Sequence, residues 1–308
     1  MLAINIWFWV GFIAFVLAML ALDLGVFHRR PHEIRPKEAG IWTAVWVTLA
    51  LIFAGGLFLY AGRHVALTFL TGYVIEEALS ADNIFVMVLI FEYFRVPKVS
   101  QHRVLFYGII GALVMRGLFI GVGAALVSRF HWVLYIFGAM LVVTGVRMAI
   151  KSDNDFNGEQ NRVVRAIRRI LPVSEEFHGA HFFVVDAGRR VATPLFLVLV
   201  LVEFTDLVFA IDSIPAIFGV TTEPFIVFTS NIFAVLGLRS LYFLLAAVVD
   251  RFHLLKYGLA LILSFVGFKM LTEHFIEIDI ALSLSIILGV LTLSILASLV
   301  WPERERRA

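Results

Sequence analysis

The sequence predicts an all-α membrane protein with about nine transmembrane helices. Of its 308 residues, 61% are hydrophobic and 16% are charged, whereas soluble proteins of this length carry about a quarter charged residues. The mean hydropathy is +0.96, and apolar segments long enough to cross a bilayer recur along the chain. These segments lie at 5–27, 41–61, 65–93, 103–127, 131–150, 192–219, 223–249, 257–273 and 278–301.

The distribution of basic residues predicts the orientation. Twenty of the 25 Lys and Arg residues fall in alternate loops on one side, while Arg63 and Arg129 fall on the other. The remaining three, Arg116, Arg239 and Lys269, lie inside predicted spans. Basic loops stay in the cytoplasm, so we expect an N-out, C-in topology. The first basic pair follows the first apolar segment, the opposite of a cleaved signal peptide, so we expect that segment to remain as a span.

Two acidic phrases inside predicted spans share one pattern. In the first, Glu76 precedes Asp82 by six residues, and in the second, Asp206 precedes Asp212 by six. The first phrase lies on a span that is predicted to run inward and the second on one that runs outward, so we expect an inverted repeat. The same alignment pairs Asn83 with Ser213, Ile84 with Ile214, Gly108 with Asn231, and Arg116 with Arg239.

This repeat divides the chain into five parts. Residues 1–63 form two peripheral spans, 64–150 the first three-helix repeat, and 192–273 the second. Between the repeats, 151–191 is a cytoplasmic loop, and 274–308 holds the ninth span and a basic tail. Two inverted three-helix repeats are typical of secondary transporters, which bind their substrate where the repeats meet.

Composition and missing motifs narrow the function. The chain has no cysteine, which excludes disulfides, thiolate metal sites and dithiol redox chemistry within it. No HExxH sequence occurs, so an intramembrane zinc protease is not supported. The net charge is only +2 and the basic residues follow membrane orientation, which argues against nucleic-acid binding. We find no nucleophile or cofactor motif and predict no enzymatic activity.

Carboxylates inside membrane spans are costly and are functional candidates. We predict a metal site in which the two repeats each supply one aspartate. A proline removes the N–H that the carbonyl four residues earlier would accept, so Pro215 frees the Ile211 carbonyl beside Asp212, and we expect a break in the helix there. Oxygen ligands suit Mn²⁺, Ca²⁺ or Mg²⁺. The predicted ligands are Asp82, Asn83, Asp212, Ser213 and the Ile211 carbonyl.

Other charged residues surround this predicted site. Glu76, Glu77, Glu203 and Asp206 are surplus acids, and we hypothesise that Glu76, Glu203 or Asp206 titrates and couples export to proton uptake. Arg116 and Arg239 are predicted counter-charges, because unpaired charges are not left inside a helical bundle. A purely structural ion pair is the alternative role for Asp82 and Asp212.

The loop at 151–191 is the one sizeable polar segment. It predicts a basic amphipathic helix suited to an anionic headgroup layer, followed by a short hairpin from His181 to Thr193 that turns at residues 186–188. A regulatory or partner-binding role is the alternative. The apolar face of the helix holds Val163, Val164, Ile167, Ile170 and Leu171, and its basic face holds Arg162, Arg165, Arg168 and Arg169.

The acidic phrases resemble the TerC/Alx family of integral membrane proteins, close to its Alx branch. The resemblance rests on 77–83, 203–206 with 210–217, 229–243 and 254–260, and it extends over essentially the whole chain. It implies manganese export across the bacterial inner membrane, with two inverted repeats. It also carries functional positions onto Asp82, Asn83, Asp206, Asp212, Ser213 and Asn231.

We therefore predict a multi-pass secondary transporter of the bacterial inner membrane that exports Mn²⁺. The choice of Mn²⁺ over Ca²⁺ or Mg²⁺ rests on the resemblance, because the ligand types do not separate them. Older family descriptions suggest a membrane redox or tellurite-resistance protein, and a scaffold without transport activity is a further alternative. The expected partners are the lipid bilayer and a divalent metal ion; sequence leaves the oligomeric state, the coupling ion and the transport direction open.

Overall fold

The computed structural model describes residues 6–22, 36–150, 162–174, 176–186, 188–246, 252–276 and 278–301. The gaps include parts of the predicted loops, among them Arg29 and Arg30, the start of the 151–191 loop and the basic tail, which lie outside the described residues. The side chains of Arg162 and Arg168 are also outside the description.

The protein is an all-α membrane protein with one small hairpin. Seven of the described helices are long and apolar enough to cross a membrane: α2, α4, α5, α7, α8, α9 and α10. The elements are α1 (Ile6–Leu22), α2 (Pro36–Ala61), α3 (Arg63–Tyr93), α4 (Lys98–Arg129), α5 (Val133–Ile150), α6 (Arg162–Ile170), β1 (Phe183–Asp186), β2 (Arg189–Ala192), α7 (Pro194–Phe218), α8 (Pro224–Leu245), α9 (Leu255–Thr272) and α10 (Ile280–Val300).

The two remaining long helices explain the difference from the nine predicted spans. α1 has 17 described residues, and its predicted continuation to residue 27 lies outside the described residues. α3 is the longer of the two, with 31 residues, but Glu76, Glu77 and Asp82 lower its hydropathy. The number nine therefore stays a prediction, and α3 differs because its polar residues face protein.

The middle of the bundle is made by α8 and its neighbours. α8 is almost entirely buried, while α2 and α10 expose large apolar side chains such as Leu59 and Leu293. In water these side chains would form extensive apolar patches, and they suit contact with lipid. α2, α3 and α4 pack against α8, and α7 packs against α3 and α4. Most of the buried polar side chains belong to α3, α4, α7 and α8.

α5 and α9 pack in close contact because glycines line both helices. A Cβ placed on Gly138 would lie 3.0 Å from the Gly267 carbonyl oxygen, and one placed on Gly145 would lie 2.6 Å from the Ala260 carbonyl oxygen. The order of the contacts reverses along the two helices, so α5 and α9 are antiparallel. Small residues at such contacts let membrane helices approach closely.

The relative directions of the central helices follow from side-chain contacts. Tyr242 touches Phe91, near the end of α3, and its hydroxyl donates to Gln101, near the start of α4, so α4 turns back against α3. α7 runs parallel to α4, since a Cβ on Gly111 would overlap Glu203 and one on Gly123, further along α4, would meet Phe218, further along α7. α3 and α7 are therefore antiparallel.

The described part of the 151–191 loop contains both predicted elements. The amphipathic segment forms α6, and β1 pairs antiparallel with β2, with Phe183 opposite Ala192. Gly188 adopts φ 77° at the turn, a left-handed conformation that glycine tolerates. We call the end of the bundle where this hairpin leads into α7 the hairpin side.

The apolar face of α6 is turned toward the protein. Val164 is buried in the same cluster as Leu197 and Leu201 of α7, and Val163 and Ile167 pack against that cluster. Arg165 and Arg169 are exposed. The predicted binding of α6 to lipid headgroups stays a prediction, but most of its apolar residues are already covered by protein.

Candidate functional site

One buried arginine joins α3 and α7 inside the bundle. Arg116 of α4 is completely buried, as is Glu76 of α3, and Asp206 of α7 is 3% exposed. The guanidinium holds Asp206 with two bonds, Nε to Oδ2 at 3.2 Å and Nη2 to Oδ1 at 2.9 Å. Its Nη1 forms an ion pair with Glu76 Oε1. Such bidentate pairing fixes the plane of both groups.

Asn231 of α8 completes this arrangement. Its Oδ1 accepts a hydrogen bond from Arg116 Nη1 at 3.1 Å, and its Nδ2 donates to Glu76 Oε2 at 3.1 Å. We call Glu76, Arg116, Asp206 and Asn231 the central cluster. The buried charges are therefore paired and hydrogen-bonded, as a low-dielectric interior requires.

The central cluster carries an excess of negative charge. Two carboxylates face one guanidinium, which leaves a formal charge of −1 among buried groups. The prediction that Arg116 is a counter-charge for the acids is confirmed by these ion pairs. The acids that converge on it, however, are Glu76 and Asp206, which were predicted to stand beside the metal ligands.

Asp82 of α3 and Asp212 of α7 lie near the crossing of these antiparallel helices, at different levels. A Cβ on Gly72 would lie 3.5 Å from Ile217, and Met87 and Val202 line the same cavity, so Asp82 is about level with residue 207 and Asp212 about level with residue 77. The two aspartates are therefore separated by about five residues of helix, or about 7.5 Å along the bundle. Asp82 lies toward the hairpin side and Asp212 away from it, and their sharing of one ion stays a prediction.

Asp212 is held by a helix that the prediction did not include. Thr144 of α5 donates a hydrogen bond from Oγ1 to Asp212 Oδ1 at 3.0 Å. Both residues are only partly buried, so this carboxylate keeps a face open. Asp82 is partly buried in the same way on α3.

Within the described part of the chain, four buried side-chain oxygens of α3 and α7 have no hydrogen-bond partner. Buried polar atoms are nearly always paired, so these atoms mark places suited to a cation or water. Two of them belong to the predicted ligands Asn83 and Ser213. The four atoms are Glu77 Oε2, Ser80 Oγ, Asn83 Oδ1 and Ser213 Oγ.

α7 continues through Pro215 without the predicted break. The helix is regular from Pro194 to Phe218, and Pro215 is buried within it. The proline still offers no N–H to the Ile211 carbonyl, but the helix continues past it to Phe218. The Ile211 side chain is 47% exposed.

Two further charged residues lie toward the hairpin side of the cluster. The Glu203 carboxylate packs directly over Gly111 of α4, in a notch that any Cβ would fill. Arg239 of α8 lies with its Nη1 3.3 Å from His102 Nε2. Arg239 and Asp206 both line a small internal cavity of about 10 Å³.

The described residues contain no group of three His, Asp or Glu side chains placed to hold one metal ion. The central cluster has only two carboxylates, and both are bound to Arg116. A metal ion at the described residues would therefore need neutral oxygens beside one or two carboxylates, or release of Arg116 from an acid.

Sequence reasoning missed Ser80, Thr144 and Gly111. Ser80 could have been found, because it lies four residues after Glu76 and three before Asn83, on one face of a helix. Thr144 and Gly111 sit in ordinary apolar segments, and only tertiary packing brings them to Asp212 and Glu203.

Comparison with known proteins identifies relatives over nearly the full chain. Residues 61–306 match the family described as integral membrane protein TerC family. An uncharacterized membrane protein of Myxococcus xanthus is 53% identical over 95% of this chain and 92% of its own. Proteins named as the proposed membrane-bound redox modulator Alx are 50% identical in Escherichia coli K12, over 93% of this chain and 92% of their own, and 47% identical in Salmonella typhi, over 97% and 95%. No solved structure matches.

Proposed function

Because the chain belongs to the TerC family of integral membrane proteins, we propose that it is a secondary transporter that exports divalent cations, and Mn²⁺ in particular, across the bacterial inner membrane. The observation that carries this proposal is the central cluster, in which Glu76 and Asp206 meet on Arg116 inside the bundle. Ionisable residues at such positions in membrane proteins mark ion pathways.

We propose that α3–α5 and α7–α9 are inverted repeats. The contacts of α5 with α9 support this. Position 138 shifted forward by 122 is Ala260, and position 267 shifted back by 122 is Gly145. The contact Gly138–Gly267 therefore maps onto the contact Gly145–Ala260 when the two helices are exchanged. Two such contacts related by exchange of the helices are what a twofold axis in the membrane plane would produce.

On this account α3 and α7 each supply oxygen ligands near the point where the two helices cross. Asp82, with the unpartnered oxygens of Ser80 and Asn83, would bind the ion from α3. Asp212, with Ser213, would bind it from α7. All these ligands are oxygens, which suit Mn²⁺ and other hard cations.

Proton coupling is part of the proposal. Glu203 lies one helical turn from Asp206 on α7, and both acids face α4. A third carboxylate so close to the central cluster gives a proton a place to bind when the metal leaves. Mn²⁺ transport into vesicles that is indifferent to an imposed pH gradient would remove this part of the account.

A redox function is the second candidate, because the named relatives are described as proposed redox modulators. The chain has no cysteine, so any redox chemistry would need a bound group or a partner. Manganese accumulation in cells lacking the protein would favour transport, whereas an altered thiol balance with normal manganese would favour the redox role.

The direct test is metal flux into proteoliposomes with a panel of divalent ions. We expect Mn²⁺ to cross at a rate above that of protein-free vesicles, with Mg²⁺ and Ca²⁺ as comparison ions. Absence of flux for every ion, in vesicles that contain folded protein, would contradict transport and leave the scaffold as the better account.

A further inference from the structure

The hairpin of β1 and β2 is anchored to the side of the helical bundle by aromatic contacts. The centre of the Phe182 ring, just before β1, lies 5.3 Å from that of Tyr107 on α4, and the Arg103 guanidinium lies 5.2 Å from the centre of the same Phe182 ring. Phe183 of β1 lies 4.6 Å from Phe196 in the first turn of α7, measured between ring centres. The hairpin therefore contacts both α4 and α7.

The contact with Tyr107 places the base of the hairpin at the depth of the membrane interface. A Cβ on Gly108 would lie 3.5 Å from Val202 of α7. Because α4 and α7 run parallel, Tyr107 lies about two turns, or about 10 Å, past the start of α7. Residues 195–202 of α7 are all apolar. Phe182 therefore lies alongside an apolar part of the bundle, and not in the water beyond the end of α7.

One face of the hairpin combines apolar and basic side chains. Val185 is opposite Arg190 in the antiparallel register, and Phe183 is opposite Ala192. Side chains two apart on a strand, or directly opposite across a strand pair, share a face, so Phe183, Val185 and Arg190 lie on one side. Phe183 is 49% exposed and Val185 is 72% exposed, and Arg190 is also exposed. Exposed apolar side chains beside basic ones are typical of segments that lie at a membrane interface.

This face of the hairpin continues an apolar surface of α7 that suits lipid. Phe183 touches Phe196, and positions at intervals of four along α7 lead from Phe196 to Phe204 and Val208. Phe204 is 43% exposed and Val208 is 46% exposed, within a helix that is long and apolar enough to cross a membrane. Side chains exposed in the middle of such a helix suit contact with lipid tails, so the hairpin face at its end suits contact with lipid headgroups.

The charge of this segment favours anionic lipids. Residues 162–192 contain six Arg and three Asp or Glu residues, and Arg189 and Arg190, which follow the turn of the hairpin, are exposed. The distribution of basic residues predicts that the hairpin side faces the cytoplasm, where the membrane surface carries anionic lipids. α6 is less suited to enter that layer, because its Val164 is buried against α7.

We infer that the hairpin is a binding site for an anionic phospholipid of the cytoplasmic leaflet. Phe183 and Val185 lie in the headgroup layer, and the guanidinium of Arg190 binds the lipid phosphate, with Arg189 beside it as a second cation. Arginine suits this role because its planar fork of N–H donors matches the oxygens of a phosphate. The inference rests on the membrane location of the protein and is independent of the proposed metal transport.

A fluorescent label on the hairpin tests where this face lies. The chain has no cysteine, so Val185→Cys in the full-length protein can be labelled with bimane and reconstituted into phosphatidylcholine vesicles with or without phosphatidylglycerol. We expect nitroxide lipid in the headgroup layer to quench the label at least twofold more strongly when phosphatidylglycerol is present. A label that only aqueous iodide quenches, or one that a second copy of the chain shields from both quenchers, would overturn the inference.

Substitution of the arginines tests the contact with the headgroup. Arg189→Gln combined with Arg190→Gln should abolish the effect of phosphatidylglycerol on quenching. In detergent micelles, phosphatidylglycerol should raise the melting temperature of the wild type but not of this variant. Arg165→Gln combined with Arg169→Gln, at exposed positions of α6, is the matched control and should retain both effects. The inference is wrong if the wild type does not respond to phosphatidylglycerol, or if the α6 variant loses the response as fully as the hairpin variant.

Discussion

Glu76 and Asp206 hold opposite ends of one guanidinium group from helices that run in opposite directions. Each of these acids precedes an aspartate by six residues in the sequence, so the two acidic phrases that share this pattern meet at Arg116 in the fold. Because each half contributes one acid, neither half can form this cluster alone. Movement of one half against the other would therefore change the bonds at Arg116 first.

The central cluster should behave as one energetic unit. Arg116→Met leaves two buried carboxylates without their partner, and breaking a buried pair in this way costs about 3–5 kcal/mol. The triple variant Glu76→Gln, Arg116→Met, Asp206→Asn removes all three charges, so it should recover most of that loss. Thermal unfolding in detergent measures both. A triple variant as unstable as Arg116→Met would show that the charges are not coupled.

Thr144 should matter for transport because it positions Asp212. Thr144→Val removes the hydroxyl that donates to Asp212 at 3.0 Å while keeping the side-chain shape, and we expect Mn²⁺ flux to fall about three- to tenfold, the cost of about one typical hydrogen bond at a partly exposed site. Thr144→Ser keeps the hydroxyl and should retain most of the flux. Equal flux in the Val and Ser variants would show that transport does not depend on the hydroxyl of Thr144.

The contact between α5 and α9 should be intolerant of a methyl group. A Cβ on Gly267 would lie 2.6 Å from the Gly138 carbonyl oxygen and 2.9 Å from the Val142 amide nitrogen, so Gly267→Ala forces the helices apart at a cost of about 1–3 kcal/mol. Gly289→Ala, where nothing lies within 4 Å, is the control. The melting temperature should fall in the first and stay unchanged in the second.

The absence of cysteine makes the predicted orientation directly testable. Val185 of the hairpin is 72% exposed and Trp132, before α5, is 58% exposed. In otherwise cysteine-free protein, Trp132→Cys should react with an impermeant maleimide added to intact cells, and Val185→Cys only after the membrane is opened. Leu141→Cys, whose site is fully buried, is the unreactive control. Reaction of Val185→Cys in intact cells would show that the protein has the opposite orientation to the predicted one.

Much of the fold follows from the sequence. Hydropathy predicted the apolar helices, the periodicity of 162–171 predicted α6, and the turn residues predicted the hairpin. The pairing of Arg116 with acids also followed, because a charge inside a bundle needs a partner. The partner of the apolar face of α6 was harder to predict, because an amphipathic helix can place that face against lipid or against other helices. Here it packs against a cluster of α7 residues.

The arrangement of the site required the structure. The sequence aligned Asp82 with Asp212, but the alignment does not fix their distance or their neighbours. Only tertiary packing shows that Glu76 and Asp206 share Arg116 and that Thr144 donates to Asp212. The effect of Pro215 also required the structure. The proline lacks an N–H, but α7 continues past it among buried residues.

Mn²⁺ flux into proteoliposomes with Asp82→Asn and Asp212→Asn tests the account most directly. Each variant removes one charge, from α3 or from α7, and Glu176→Gln, near the hairpin, removes an exposed carboxylate as the control. We predict at least a tenfold loss of flux in each aspartate variant alone, with no further loss when both are combined and normal flux in the control. Wild-type flux in either aspartate variant, with the protein folded and inserted, would contradict a pathway that runs past both residues.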